Sequence, residues 1–156
     1  MNRTLQTVVR ELAEQLGWRL EHPDRSGAYR IDFEGGLQLE IVGDGPNRCI
    51  LRADLGAAPT AGNERDREAS VRIGSLAAAV VRSNASIVSV RGARLELESK
   101  LEPEVLTPAR LADAVRRFLN EQAWWKENLG SGAIQQQSDS MFSLGAFDWR
   151  SGHTGF

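Results

Sequence analysis

Residues 27–55 read GAYRIDFEGGLQLEIVGDGPNRCILRADL, and apolar and polar residues alternate in three successive runs of this stretch. A period of two residues places alternate side chains on opposite faces of a strand. The glycine-rich segments 34–36 and 43–47, which separate the runs, are typical of turns. We expect an antiparallel meander with one buried face and one wet face. The three predicted strands are Ala28–Phe33, Leu37–Val42 and Arg48–Leu55.

Before and after this meander, apolar residues recur at helical spacing. The order α-β-β-β-α-β-β-α predicts an α+β domain in which five strands form an antiparallel twisted sheet with three helices. Val71 and Val81 lie off the main apolar stripe of the second helix, so a second face of that helix is partly apolar. The predicted helices span about Thr4–Leu16, Arg65–Ser83 and Thr107–Leu129, and the two further strands are Ser86–Val90 and Ala93–Ser99.

The composition limits the class of protein. The 156 residues carry a formal net charge of −2, which argues against a general nucleic-acid binder with a basic face. A single cysteine, Cys49, allows no intrachain disulfide, and its place in an apolar strand indicates a buried small hydrophobe. No apolar run is long enough for a signal peptide or a membrane span, so we expect a cytoplasmic protein.

The motifs of the common catalytic and metal sites are missing from the sequence. His22, His153 and Cys49 do not have zinc-site spacing, and neither a GxxxxGK phosphate loop nor a GxSxG nucleophile elbow is present. The carboxylate pairs Asp32/Glu34 and Glu96/Glu98 are expected to lie on wet strand faces rather than to act as an acid and a base. We therefore predict a binding protein, not an enzyme, without a cofactor or a metal.

The ordered set of segments resembles the CesT/SycE-like class I chaperones of type III secretion. GAYRIDFEG fills residues 27–35, LQLEI fills 37–41 and CILRADLG fills 49–56. The last helix opens with Thr107-Pro108 and contains FLN at 118–120. The resemblance covers residues 4–129. The chain is also similar to the general type III secretion control chaperones of plant pathogens, of the HpaB kind, which serve many effectors.

The resemblance implies a cytoplasmic homodimer that takes part in virulence. Such a chaperone binds the nonglobular N-terminal segment of secreted effectors and keeps these effectors secretion-competent. It then delivers them to the export ATPase or another component of the secretion apparatus, and it uses no cofactor. The alternative is an adaptor or regulatory module of the same fold that binds folded cytosolic partners. Both hypotheses remain open at the level of sequence.

Two sets of site residues follow from the resemblance. The dimer contact of the family comes from the second helix and the fourth strand, and the effector binds around the first helix and the first three strands. Ile50 is informative because alternation places it on the polar face, although a single exposed apolar residue is also common. The candidate dimer residues are Leu76, Val80, Ile87, Val88 and Val90, and the candidate effector-binding residues are Val9, Leu12, Tyr29, Ile31, Ile50 and Arg52.

Residues 130–156 depart from the family pattern. They have no sustained period, and we predict a flexible C-terminal tail after a chaperone-like domain at residues 1–129. The tail contains apolar anchors, among them Met141, Phe142, Leu144 and Phe147. Three roles remain open for it: mimicry of an effector in the groove, contact with the export apparatus, or simple disorder.

Overall fold

A computed structural model describes residues 4–45, 48–102 and 107–130 of the chain. The helices and strands follow the predicted order, and the α+β class is confirmed. A short 3-10 turn, Glu34–Gly36, joins the first two strands. The elements are α1 (Leu5–Leu16), β1 (Tyr29–Asp32), β2 (Gln38–Gly43), β3 (Cys49–Ala57), α2 (Glu64–Val80), β4 (Ile87–Arg91), β5 (Arg94–Leu101) and α3 (Pro108–Gly130).

The five strands form one antiparallel sheet in the order β1-β2-β3-β5-β4, so β1 and β4 are the two edges. The hairpin between β4 and β5 is closed by the pair Arg91↔Arg94 across two residues. In β3 the register shifts between Asp54 and Gly56, and this bulge extends the strand past the predicted end at Leu55 to Ala57. Gly56 has a φ of +119°, a conformation that side chains rarely tolerate.

The core lies between one face of the sheet and the helices α1 and α3. α1 begins at the N-cap Thr4, whose hydroxyl accepts from the backbone N–H of Thr7, and ends at the left-handed Gly17. α1 buries Val8, Val9, Leu12 and Ala13, and α3 buries Leu111, Ala114, Val115, Phe118, Leu119, Gln122 and Trp125. Burial of the aliphatic and aromatic side chains in this set supplies most of the favourable free energy of folding.

α2 contributes much less to the core than the other two helices. Of its 17 residues only Val80 is buried, while Leu76 and Ala77 are half-buried and pack against the core cluster. Asn63 caps the helix by accepting from the backbone N–H of Asp66 at 2.9 Å. The helix is therefore well formed locally, yet most of its surface is left to solvent.

The prediction of a separate tail concerns residues 130–156. Gly130 is the last residue of α3, and the rest of the tail lies outside the described residues.

Candidate protein-binding surfaces

β1 pairs on one side only among the described strands, and its other edge offers main-chain hydrogen-bonding groups at two residues. The backbone N–H of Phe33 donates to the carbonyl of Leu37 at 2.8 Å, continuing the register in which Ile31 faces Leu39. In an antiparallel ladder alternate residues bond to the neighbouring strand, so the main-chain groups of Arg30 and Asp32 point to the open edge.

The loop before β1 closes this edge at Ala28. The Asp24 carboxylate accepts from the backbone N–H of Ala28 at 3.1 Å, and the Asp24 N–H donates to the Ala28 carbonyl at 3.0 Å. The hydroxyl and N–H of Ser26 also donate to Asp24, and these hydrogen bonds lower the pKa of its carboxyl group. The edge that remains is therefore short and begins at a fixed point, which suits the addition of one extended segment.

A groove of about 510 Å³ runs beside this edge, between α1 and the segment that follows it. Trp18 is half-buried and packs edge-to-face on Phe33, with ring centroids 5.4 Å apart. Trp18, Leu20 and Tyr29 give the groove apolar walls, and Arg10 and Glu14 place charges along its rim. Such a mixture accepts an apolar side chain and leaves a solvated border.

The face of the sheet on which none of the described helices packs, called the uncovered face below, carries a charged ladder that crosses four strands. Arg30, Glu40, Arg52 and Glu98 lie opposite one another in register on β1, β2, β3 and β5. Arg52 is the centre, since its guanidinium nitrogens lie 3.5 Å from Glu40, 3.6 Å from Glu96 and 3.6 Å from Glu98. The ladder is internally neutralised, so it does not attract partners of one sign of charge.

Both ends of the charged face have a distinct character. At one end Val42, Ile50 and Lys100 lie opposite one another, which makes a small apolar pair beside a lysine. At the other end the Arg94 guanidinium donates to Asp54 and is the main reason that the pKa of this carboxyl is lowered. The half-buried Ile50 is therefore not isolated, because Val42 pairs with it.

The opposite edge of the sheet is apolar. Large hydrophobic side chains that are exposed in the described part of the chain occur at four positions, all on α2, the turn after it, and β4. On β4, Ile87 faces Glu98 on the charged side of the sheet and Val90 faces Leu95 on the helical side. An edge strand with apolar side chains on both faces is typical of a strand that a partner covers. The four are Val71 (65% exposed), Val81 (61%), Ile87 (57%) and Val90 (63%).

The buried titratable groups have structural partners rather than a shared cleft. Glu121 on α3 accepts from the backbone N–H groups of Ala85 and Ser86 at 3.1 Å each, and burial raises the pKa of its carboxyl. Burial also raises the pKa of the Cys49 thiol to about 12, so this thiol is unreactive at neutral pH.

Among residues 4–45, 48–102 and 107–130, no group of three or more His, Cys, Asp or Glu side chains could hold a metal ion. None of the helices described in these ranges combines the length and the apolar character that a membrane span requires.

The structure separates the predicted effector-binding residues into two groups. Val9, Leu12, Tyr29 and Ile31 lie in the core, with at most 6% of each residue exposed. Of these, only Tyr29 also lines the groove beside α1. Ile50 and Arg52 lie on the uncovered face, where Arg52 is held by three carboxylates.

The predicted dimer residues are divided in a similar way. Val80 is 5% exposed and belongs to the core cluster, and Leu76 packs against that cluster. Ile87 and Val90 are exposed on β4, and Val88 between them is half-buried. Val81, which the sequence placed on a second apolar face but outside the candidate set, is exposed directly after the end of α2.

The sequence analysis did not identify the groove residues Trp18 and Leu20. It also did not identify the main-chain N–H and C=O groups of Arg30 and Asp32 that point to the open edge of β1. The hydrogen-bonding direction of a strand edge is set by register and is not encoded in residue type. Trp18 and Leu20 form an apolar pair in the loop that follows α1. Because loop residues are more often polar, this pair was the signal in the sequence that could have indicated a binding groove.

Comparison with known proteins gives similarity in structure only. No protein-family model matches the chain, and no curated protein is similar to it in sequence. The ExsC–ExsE complex contains a similar chain, with a TM-score of 0.63 and 16% identity over 85% of this chain and 100% of that one. In the HopA1–SchA chaperone–effector complex the TM-score is 0.59 and the identity 13%, over 78% and 92% of the two chains.

Two further solved structures have the same fold. The Yersinia pestis type III secretion chaperone SycH, in complex with a stable fragment of YscM2, gives a TM-score of 0.54 at 12% identity, over 78% of this chain and 99% of that one. YbjN, a putative transcription regulator from E. coli, gives 0.55 at 17% identity, over 83% and 90%. The chain therefore has the fold of type III secretion chaperones, a fold that it also shares with YbjN.

Proposed function

We propose that the protein is a cytoplasmic chaperone of type III secretion that binds the nonglobular N-terminal segment of secreted effectors. It keeps these effectors secretion-competent and delivers them to the export ATPase or another part of the export apparatus. The observation that carries the proposal is the shared fold with chaperones solved in complex with a protein ligand, as the HopA1–SchA and SycH structures describe. In this proposal the protein uses no cofactor and is not an enzyme.

The effector segment is proposed to add to β1 and to place an apolar side chain in the groove beside α1. Main-chain hydrogen bonds to Arg30 and Asp32 would supply affinity with little demand on sequence. Trp18, Leu20 and Tyr29 would accept the apolar side chain. Ile50 and Arg52 remain candidates for a second contact on the uncovered face, whereas the buried Val9, Leu12 and Ile31 support the site from within the core.

We also propose a homodimer formed through β4 and the end of α2. Ile87, Val88 and Val90 stay in the proposed contact, and Val81 joins them because it is exposed. In a two-fold contact each protomer contributes the same patch, so these four side chains would meet their own copies or one another. Val80 supports this surface from the core side.

The test combines capture with a variant of the β1 edge. Tagged protein is purified from cells that express their type III secretion system, and bound proteins are identified by mass spectrometry. Secreted proteins should be recovered, and their isolated N-terminal fragments should bind in calorimetry. Asp32→Pro should weaken this binding at least tenfold, because proline removes the edge N–H without breaking the ladder to β2. Asp32→Ala is the matched control and should bind normally.

The second candidate function is the adaptor or regulatory module that binds folded partners. The similarity to YbjN, described as a putative transcription regulator, favours this alternative. An adaptor would recover folded cytosolic proteins, and Asp32→Pro would leave their binding unchanged. Recovery of such partners alone, or of no partner, would contradict the chaperone proposal.

A further inference from the structure

β4 is held in the sheet with little help from side-chain burial. None of its five residues, Ile87–Arg91, is buried in the protomer, although Val88 is half-buried and packs against the core cluster. The neighbouring strand β5 buries alternate residues from Leu95 to Leu101. Among the described strands, β4 pairs with β5 alone. Because the hydrophobic contribution scales with the apolar area removed from water, polar contacts must account for much of what keeps β4 in place.

A carboxylate on α3 holds the residues that lead into β4. One oxygen of Glu121 accepts from the backbone N–H of Ala85 and the other accepts from the backbone N–H of Ser86, at 3.1 Å each. The Ser86 hydroxyl donates to the same carboxylate. A carboxylate has acceptor sites for about four hydrogen bonds, so one side chain can serve all three donors. These contacts fix both the position and the direction of the chain directly before Ile87.

The other end of β4 is fixed by its hairpin with β5. The pair Arg91↔Arg94 closes the hairpin, and Gly92 between them has a φ of +59°, which suits a tight two-residue turn. Arg91 also forms ion pairs with Glu96 and Glu98, but its side chain is 58% exposed, so these pairs add little stability. Loss of the Glu121 contacts should therefore free the start of β4 and leave the hairpin end in place.

We propose that Glu121 is a positioning residue, which holds β4 in an ordered conformation on which a second copy of the chain assembles. Ile87 and Val90 are exposed on opposite faces of this strand. They can pack against a partner only while the strand keeps its extended shape, and a strand that is ordered beforehand loses less conformational entropy on association. The role in association rests on the homodimer proposed above, whereas the role in ordering β4 does not.

Hydrogen–deuterium exchange of the full chain tests the ordering of β4. In Glu121→Ala the amides of residues 87–91 should exchange about tenfold faster than in the wild type, because the strand opens locally more often. The amides of residues 38–43 in β2 report global opening and should keep the wild-type rate. Asp113→Ala is the matched control and should change neither segment, since Asp113 is an exposed carboxylate on the same helix, paired with Arg116. Unchanged exchange at 87–91 in Glu121→Ala, or equal acceleration in both segments, would overturn the proposal.

A milder variant covers the case in which Glu121→Ala does not fold. Ser86→Ala removes one of the three donors to Glu121, so exchange at residues 87–91 should rise less, by about threefold. In the Glu121→Ala background the same change should have no further effect, because the carboxylate that it would leave without a donor is gone. Ser86→Ala with the wild-type rate at 87–91 would overturn the proposal.

Sedimentation equilibrium over a concentration series tests the role in association. The Kd of the proposed dimer should rise about tenfold in Glu121→Ala, because the strand must then be ordered at the moment of binding. Asp113→Ala should keep the wild-type Kd. An unchanged Kd in Glu121→Ala, with faster exchange at residues 87–91, would overturn the role in association. A wild-type protein that stays monomeric would contradict the dimer and this role together, whereas the exchange result would still decide the ordering of β4.

Discussion

The helices α2 and α3 differ in what their surfaces contact. α3 has 23 residues and buries seven of them, including Phe118 and Trp125, in the core. α2 has 17 residues and buries only Val80. Both helices are capped by a polar side chain at the N-terminus. The difference between them therefore does not come from capping. The difference teaches that α3 holds the fold together, whereas α2 has most of its surface available for partners.

The largest expected effect comes from the same substitution made on both helices. Leu111→Ala on α3 should lower the free energy of unfolding by about 3–5 kcal/mol, because Leu111 is fully buried and the change leaves a cavity. Leu76→Ala on α2 should cost about 1 kcal/mol, since Leu76 is only half-buried. Urea denaturation followed by circular dichroism measures both. Equal losses would mean that α2 is as much a part of the core as α3.

Two adjacent valines separate the core side of α2 from its outer side. Val80→Asp should destabilise the protomer by about 3 kcal/mol or more, because a charge would be buried without a partner. Val81→Asp should leave the circular dichroism spectrum unchanged and convert the proposed dimer to a monomer. Light scattering and thermal denaturation together make the distinction. A Val81→Asp protein that keeps the dimer mass would remove Val81 from the proposed contact.

Gln122 tests how completely α3 is packed. It is fully buried, and neither its amide nitrogen nor its amide oxygen has a hydrogen-bond partner within the described part of the chain. Gln122→Met keeps the shape of the side chain and removes the unsatisfied groups, so it should stabilise the protein by about 1 kcal/mol. Gln15→Met on the exposed face of α1 is the control, with no expected change. A loss of stability in Gln122→Met would indicate that the amide has a bonding role in the folded protein.

The smallest expected effect concerns pH and Glu121, which ties α3 to the loop after α2. Its folded pKa is raised from the ordinary value of 4.5, mainly by burial. The stability that this group contributes is present in full below 4.5 and is lost as pH rises through the folded pKa. The stability difference between wild type and Glu121→Gln should therefore shrink between pH 4 and pH 7. A difference that grows with pH would show that the hydrogen bonds from Ala85 and Ser86 outweigh burial.

The pattern of the sequence predicts the elements well because period two and period 3.6 are local properties. The predicted order of elements is confirmed. Apolar periodicity identifies a face of a helix or strand but does not say whether the core or a partner covers that face. The sequence pattern alone was therefore not enough to assign Val9, Leu12, Tyr29 and Ile31 to effector binding. All four face the core in the folded protein.

The partners of Arg52 illustrate the same limit. Alternation places Arg52 on the wet face, and this is where it lies. Its three carboxylate neighbours come from β2 and β5, and only the register of the two ladders brings them together. Val80 lies on the main apolar stripe of α2 and Val81 lies off it. Periodicity separates the two positions, but it does not say whether the core or a partner covers each of them.

The rate at which Cys49 reacts with a thiol reagent can report local opening of the sheet in the unmodified chain. It lies on β3, the middle strand, it is 1% exposed, and it is the single cysteine of the sequence. A thiol reagent can therefore react with the folded protein only as often as the structure around the start of β3 opens. If the β1 edge and β3 open together, a segment that adds to that edge should slow the reaction. The rate of thiol modification would then report occupancy of the edge from two strands away.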